Sequence, residues 1–281
     1  MTDPGGPARI RSAFTDAASA DRTALIAYVL AGFPTQTDAL AAAEAALASG
    51  ADLLEIGVPF SDPVADGPTI ADAGRAALAG GAGLPSARRL VRALRDRGHD
   101  RPILVMSYLN PLLAAGEDAT LRSLREAGAD GLIVPDLPAG ASPRLERLAA
   151  SIGLAFSFLV APNTPVERRE AAIAASSGFL YVVPLLGVTG ARKAVAAGAL
   201  ELISTIRRQA AGRVPVAAGF GVSSARQLAE LGSAADGVIV GSALVAAVRD
   251  DGPEGVAALV RSLASATARP QPSAAARRVR S

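Results

Sequence analysis

The 281-residue chain reads as an α/β protein, a single-domain (β/α)8 barrel of the TIM type, on three observations. Eight short apolar runs recur along it with little polar alternation, as strands buried on both faces of a parallel sheet do. Segments with helical spacing of Ala, Leu, Arg and Glu separate them. Gly-Ala-Asp at Gly50 and Gly128, and the related Ser233-Ala234-Ala235-Asp236, each close a helix and open a strand. A doubly wound sheet is the main alternative. Eight strands, and the lack of a Gly-rich loop after the first, disfavour it.

In order, the strand runs are Ala24–Leu30, Leu53–Gly57, Ile103–Ser107, Gly131–Val134, Ala155–Val160, Phe179–Val183, Val214–Ala218 and Gly237–Val240. Helices are predicted over Thr37–Ala48, Ser86–Arg97, Ala119–Ala127, Ser142–Ser151, Val166–Ala175 and Leu200–Ala211. Cap residues open several of them: Thr35 or Thr37, Ser86, Ser142, Thr164-Pro165 and Ser223. The barrel is assigned to residues 1–268, with a short flexible N-terminus. Residues 269–281, rich in Arg, Ala and Pro, read as a disordered tail.

Composition excludes several kinds of function. Half the residues are apolar but only 4% aromatic, so the core is aliphatic. No apolar run reaches the roughly 18 residues a bilayer span needs, and Met1–Ala8 lacks a signal-peptide core, so a cytoplasmic protein is expected. The basic pI of about 9.5 is misleading, because four arginines crowd the tail. The rest of the chain is near neutrality, which argues against a nucleic-acid surface. With no Cys and one His (His99), thiol chemistry and His-cluster metal sites are ruled out. His99 itself reads as a helix-end cation. Lys193, the sole lysine, lies in a loop and makes a poor Schiff-base nucleophile. Carboxylates, hydroxyls and backbone amides remain.

The carboxylates are concentrated in one place. Leu53-Leu54 runs into Glu55, at the carboxyl end of the second strand, and a loop stiffened by two prolines then presents Asp62 and Asp66. An acid at a buried strand end has its pKa raised by apolar surroundings and sits where barrels do proton-transfer chemistry. At the seventh and eighth strand ends, Gly221 and Gly241 expose bare backbone amides. The helix starting at Gly241-Ser242 aims its N-terminus at the same point, an arrangement suited to phosphate. Acid–base catalysis by carboxylates alone suits a substrate whose own ring accepts electrons, as an indole protonated at C3 does.

The strings EIGVPFSDPVADGPTI, SYLNP, GLIVPDLP, GVTGAR, GFGVS and ADGVIVGSALV, in this order from Ala24 to Val248, resemble the tryptophan synthase alpha chain family. The resemblance implies reversible retro-aldol cleavage of indole-3-glycerol phosphate to indole and glyceraldehyde 3-phosphate, with no metal or cofactor in this chain. It implies Glu55 as catalytic acid/base and Asp66 as the acid facing the indole N–H. By the same likeness Tyr28 and Tyr181 line the indole site, and Gly190, Gly221, Gly241 and Ser242 contact the phosphate. It further implies a beta-chain partner holding pyridoxal phosphate in an α2β2 tetramer, faced by Asp62, Asn110 and Asp136. Three positions depart from the family habit: Pro184 replaces a polar residue, Gly140-Ala141 an acidic pair, and Ala27 a proline. A standalone indole-releasing lyase and a non-catalytic activating subunit stay open as alternatives.

Overall fold

The computed structural model describes residues 5–183, 192–219 and 221–269. Its strands are β1 (Ala24–Leu30), β2 (Leu53–Gly57), β3 (Ile103–Met106), β4 (Gly131–Ile133), β5 (Ala155–Ser157), β6 (Leu159–Val160), β7 (Leu180–Val182), β8 (Val216–Gly219) and β9 (Gly237–Val240). Every pairing is parallel, in the order β5-β4-β3-β2-β1-β9-β8-β7-β6.

The expected fifth strand is in fact two. Ala155–Ser157 pairs with β4, whereas Leu159–Val160 pairs with β7, so one continuous segment brings the two ends of the sheet together. Phe158 is the corner: its N–H reaches the Ser176 hydroxyl at 3.2 Å, and its carbonyl accepts the Tyr181 N–H at 2.9 Å. Ser177 and Ser157 hydroxyls take the N–H groups of Phe156 and Phe179, at 2.9 and 3.1 Å. Serine hydroxyls thus satisfy donors that the interrupted ladder leaves open. The nine strands fill eight barrel positions.

Helices cover the outside close to the expected spans, from Gln36–Ala48 to Val166–Ala175. Thr35 and Ser142 cap as expected, each accepting a backbone N–H in the first turn. The caps expected at Ser86 and Ser223 fall instead on Gly83 and Ser224. Ser223 gives its N–H to the Gln227 side chain.

The short flexible N-terminus is corrected from Gly6 onward. Gly6–Ser19 is a helix, opened by Pro7, whose missing N–H is no loss in a first turn. Its buried face, Ile10, Ala13, Phe14 and Ala17, packs into the barrel interior with Ile26, Leu53, Leu104 and Phe179. The Phe14 and Phe179 ring centroids are 5.7 Å apart. Gly237 leaves room for this plug, since a Cβ there would meet the Phe14 ring at 2.7 Å. The spacing of Ile10, Ala13, Phe14 and Ala17 is helical; the surrounding small and polar residues obscured it.

At that amino-terminal mouth, three acids repeat one device. Asp52, Asp130 and Asp236, each just before a strand, accept an N–H from the first or second residue of a neighbouring strand: Leu25 at 2.9 Å, Ile103 at 2.8 Å and Val216 at 2.9 Å. Each is also paired with an arginine, Arg22, Arg95 and Arg207 respectively. These are the acids of the three helix-closing segments singled out in the sequence.

Arg269, grouped with the tail in the sequence, belongs structurally to the barrel. Its N–H donates to the Asp21 carbonyl at 2.8 Å and its guanidinium to the Ala235 carbonyl at 3.1 Å, 3.7 Å from Asp236. A chain ending at Ala268 is therefore expected to melt lower than one ending at Arg269, by roughly 2–5 °C. Equal melting temperatures in scanning calorimetry would show those contacts to be idle.

Candidate active site

The interior of the barrel follows strand alternation. On β2, Leu53 and Gly57 flank Glu55, and Glu55 stands in register with Tyr28 of β1 and Leu104 of β3. Residues level with one another on adjacent strands share a face, so Tyr28 and Glu55 both point inward. Gly57 makes room for the tyrosine ring, because a Cβ there would lie 2.0 Å from the Tyr28 hydroxyl. Across the barrel Gly219 serves Tyr181 in the same way, with 2.8 Å to its hydroxyl.

Glu55 is 1% exposed and neither carboxylate oxygen has a hydrogen-bond partner in this structure. The other fully buried acids, Asp52 and Asp130, are each held by arginines and a backbone N–H. A buried acid without a counter-charge has no role in holding the fold together. Burial pushes the Glu55 carboxyl up to about 8, with the Asp66 charge adding to it. Burial also raises Asp66, to about 6, against the opposing effect of a hydrogen bond with Tyr108. Near neutral pH one acid therefore holds a proton while the other has lost it. The Tyr28 and Tyr181 hydroxyls are pushed well up, first by burial and then by the Glu55 and Asp66 charges. The four side chains thus form one electrostatic unit at the carboxyl ends of the strands.

The loops expected to bind phosphate follow β8 and β9 at the same end of the barrel. Gly221 adopts φ 75°, a left-handed conformation suited to glycine, and faces open space. Gly241 caps the helix Ser242–Ala264 at the end of β9. The nearest atoms to a Cβ at Gly241 would belong to Ile70, at 3.4 Å, and Tyr28, at 3.7 Å, so Gly241 adjoins the tyrosine that stands level with Glu55. Gly190, with Pro184 and its neighbours, lies outside the described residues.

The structure brings Glu55, Asp66, Tyr28, Tyr181, Gly221, Gly241 and Ser242 to one end of the barrel. Asp62, Asn110 and Asp136 are exposed on its rim, after β2, β3 and β4. Asp136 also accepts the Leu109 N–H, at 3.0 and 3.2 Å, which ties the loops after β3 and β4 together. Val64, 84% exposed, stands on the acidic loop beside Asp62. His99 lies on the outside of the barrel, 3.4 Å from Glu44. Among the described residues no three His, Cys, Asp or Glu side chains gather as a metal site, and no helix is long and apolar enough to cross a membrane.

Sequence reasoning missed Tyr108. It is 3% exposed, its ring stacks on Phe60 with centroids 5.2 Å apart, and its hydroxyl accepts the Ala65 N–H at 2.9 Å. An aromatic two residues past a strand end, in SYLNP, was the available signal.

Comparison with known proteins places these features in a family. The family profile described as "Tryptophan synthase alpha chain" matches residues 14–271. The tryptophan synthase alpha chain of Chloroflexus aurantiacus is 43% identical over 266 residues, covering 93% of this chain and 99% of that one. That of Streptomyces coelicolor is 46% identical over 253 residues, covering 88% and 92%. Among solved structures, a Mycobacterium tuberculosis tryptophan synthase chain superposes with a TM-score of 0.85 at 40% identity, covering 93% of this chain and 99% of that chain.

Proposed function

The chain belongs to the tryptophan synthase alpha chain family, and from that premise we propose that it cleaves indole-3-glycerol phosphate to indole and glyceraldehyde 3-phosphate, with Glu55 and Asp66 as its catalytic pair. The observation that carries the assignment is Glu55: a fully buried acid with neither oxygen paired, level with Tyr28 inside the barrel and protonated near neutral pH.

The steps follow from the two acids. Glu55 gives its proton to C3 of the indole ring, and ionised Asp66 balances the positive charge that appears on the indole N–H. The bond from C3 to the glycerol side chain then breaks and its electron pair returns to the ring. The side-chain hydroxyl releases its proton as the aldehyde forms, and Glu55, now a carboxylate, takes it up. Protons balance over the cycle, and no cofactor in this chain is called for. Tyr28 and Tyr181 flank the indole. Gly221, Gly241 and Ser242, with Gly190, hold the phosphate by backbone amides, the helix N-terminus and the serine hydroxyl.

Asp62, Asn110 and Asp136 form part of the rim facing a beta chain, which carries the pyridoxal phosphate in an α2β2 assembly. The setting is the cytoplasm. The exposed Val64 beside Asp62 supports this rim as a docking face. The direct test is to incubate the purified chain with indole-3-glycerol phosphate, with and without a beta chain, and measure indole. Release with neither arm would overturn the lyase reading; release in both, unchanged by the beta chain, would favour a standalone lyase.

Two further results are expected. The rate should fall below about pH 6, as Asp66 takes up a proton, and above about pH 8, as Glu55 loses one. A profile flat from pH 5 to 9 would sink the pairing. Gly241→Val should weaken glycerol phosphate binding about tenfold or more while leaving indole binding within about twofold, because valine's outer methyls cover the helix N-terminus. The Cβ itself meets Ile70 at an ordinary 3.4 Å, so the fold should tolerate the change. Calorimetry showing equal losses for both ligands would move the phosphate elsewhere.

A further inference from the structure

The loop carrying Asp66 makes few bonds to the barrel. Within it, Val64 N–H reaches the Asp62 carbonyl at 3.0 Å, Asp66 N–H the Pro63 carbonyl at 3.1 Å, and the Ser61 hydroxyl the Asp62 carboxylate at 2.5 Å. These are local turns within the loop. What ties it to a neighbouring strand end is Tyr108. The Tyr108 ring lies against Phe60 at the loop's start, and its hydroxyl accepts the N–H of Ala65, the residue before Asp66, at 2.9 Å.

A phenol has one proton to give and lone pairs to receive with. The Ala65 N–H takes an acceptor site of this hydroxyl, which fixes the backbone one residue before Asp66. We infer that Tyr108 is a positioning residue of the lyase reaction, holding Asp66 at the indole nitrogen by anchoring its loop through the Ala65 hydrogen bond and the Phe60 stack. The inference rests on the assignment of Asp66 above. Tyr108 touches the loop rather than the reacting atoms, so its removal disturbs the placement of Asp66 and leaves the phosphate and ring contacts that govern affinity in place. A carboxylate held in place contributes much more to catalysis than one that must be brought there.

The test is Tyr108→Phe, which keeps the ring and its stacking on Phe60 and deletes only the hydroxyl. Single-turnover cleavage of indole-3-glycerol phosphate and steady-state constants are measured for the native chain, Tyr108→Phe, Asp66→Asn and the double variant. Amide exchange at Ala65 is followed in the native chain and in Tyr108→Phe. The expected result is a kcat lower by about 10- to 100-fold in Tyr108→Phe with KM within about threefold, no further loss when the change is added to Asp66→Asn, and faster exchange at Ala65. An unchanged kcat, a KM rising in step with the loss, an equal loss in the Asp66→Asn background, or unaltered Ala65 exchange would each overturn it. Full activity in Asp66→Asn would instead remove the assignment of Asp66, and this inference with it.

Discussion

Glu55→Gln is expected to lower indole release by about 10²–10⁴-fold and, at alkaline pH, to make the protein more stable. The rate falls because an amide cannot deliver the proton that C3 must gain. The stability effect follows from linkage. Glu55 has a folded-state pKa raised from 4.5 to about 8, so the folded chain holds this proton more tightly than the unfolded chain. Its contribution is fully present below about pH 4.5 and is lost as pH rises through about 8. Above that, the native protein carries a buried, unpaired carboxylate that glutamine does not, a difference on the order of 3–5 kcal/mol. Near pH 4 both side chains are neutral and the two proteins should melt alike. Denaturant titrations at pH 4.5 and 8.5, beside activity, decide it. A variant keeping more than about a tenth of the rate would refute the catalytic role; one equally stable at both pH values, relative to the native chain, would show that Glu55 is already hydrated.

Asp130→Ala is expected to lose about 2–4 kcal/mol of stability, seen as a melting temperature lower by roughly 5–10 °C. Asp130 is 1% exposed and takes Arg95 at 2.6 Å, Arg9 at 2.8 Å and the Ile103 N–H at 2.8 Å. Burial outweighs the Arg95, Arg9 and Arg125 charges and the Ile103 N–H and pushes its pKa up, and burial pushes Arg95 down. Against an apolar pair of the same shape the cluster therefore gains little. Removing the acid alone is different, because it strands a buried N–H and leaves two guanidinium groups facing one another. It also cuts the bond between the plug helix, which carries Arg9, and the start of β4. Asp72→Ala is the control, its carboxylate being 64% exposed beside Arg75. A shift no larger than the control's would show that the cluster relaxes into water.

The barrel was legible because its strands are apolar on both faces, so the runs stand out from the helices without help from periodicity. The acids were legible for a related reason. Glu55 interrupts such a run, and Asp52, Asp130 and Asp236 each stand at the threshold of one. What escaped was whatever depends on contacts far apart in the chain. Ala155–Val160 looks like one strand; only its two neighbours, β4 and β7, divide it at Phe158. The plug helix is short, rich in small residues and buried by the barrel mouth more than by its own pattern. Tyr108 is one of three tyrosines, marked locally only by its place just past a strand end, and its meaning lies in the loop that folds back onto it. Arg269 sits in a tail-like composition and is held by residues Asp21, Ala235 and Asp236.

The divided strand makes the barrel unequal around its circumference. The β1–β2 wall that holds Tyr28 and Glu55 is zipped by five residue pairs, while the β6–β7 junction has two. Short ladders open and flex at lower free energy than long ones. The barrel therefore has a rigid side, which carries the proposed catalytic acid Glu55, and a yielding side beneath Tyr181. Under the proposed lyase reading, adjustment to a bulky ring would fall at the seam beneath Tyr181 rather than at Glu55, so adaptability and precision would be kept on opposite walls.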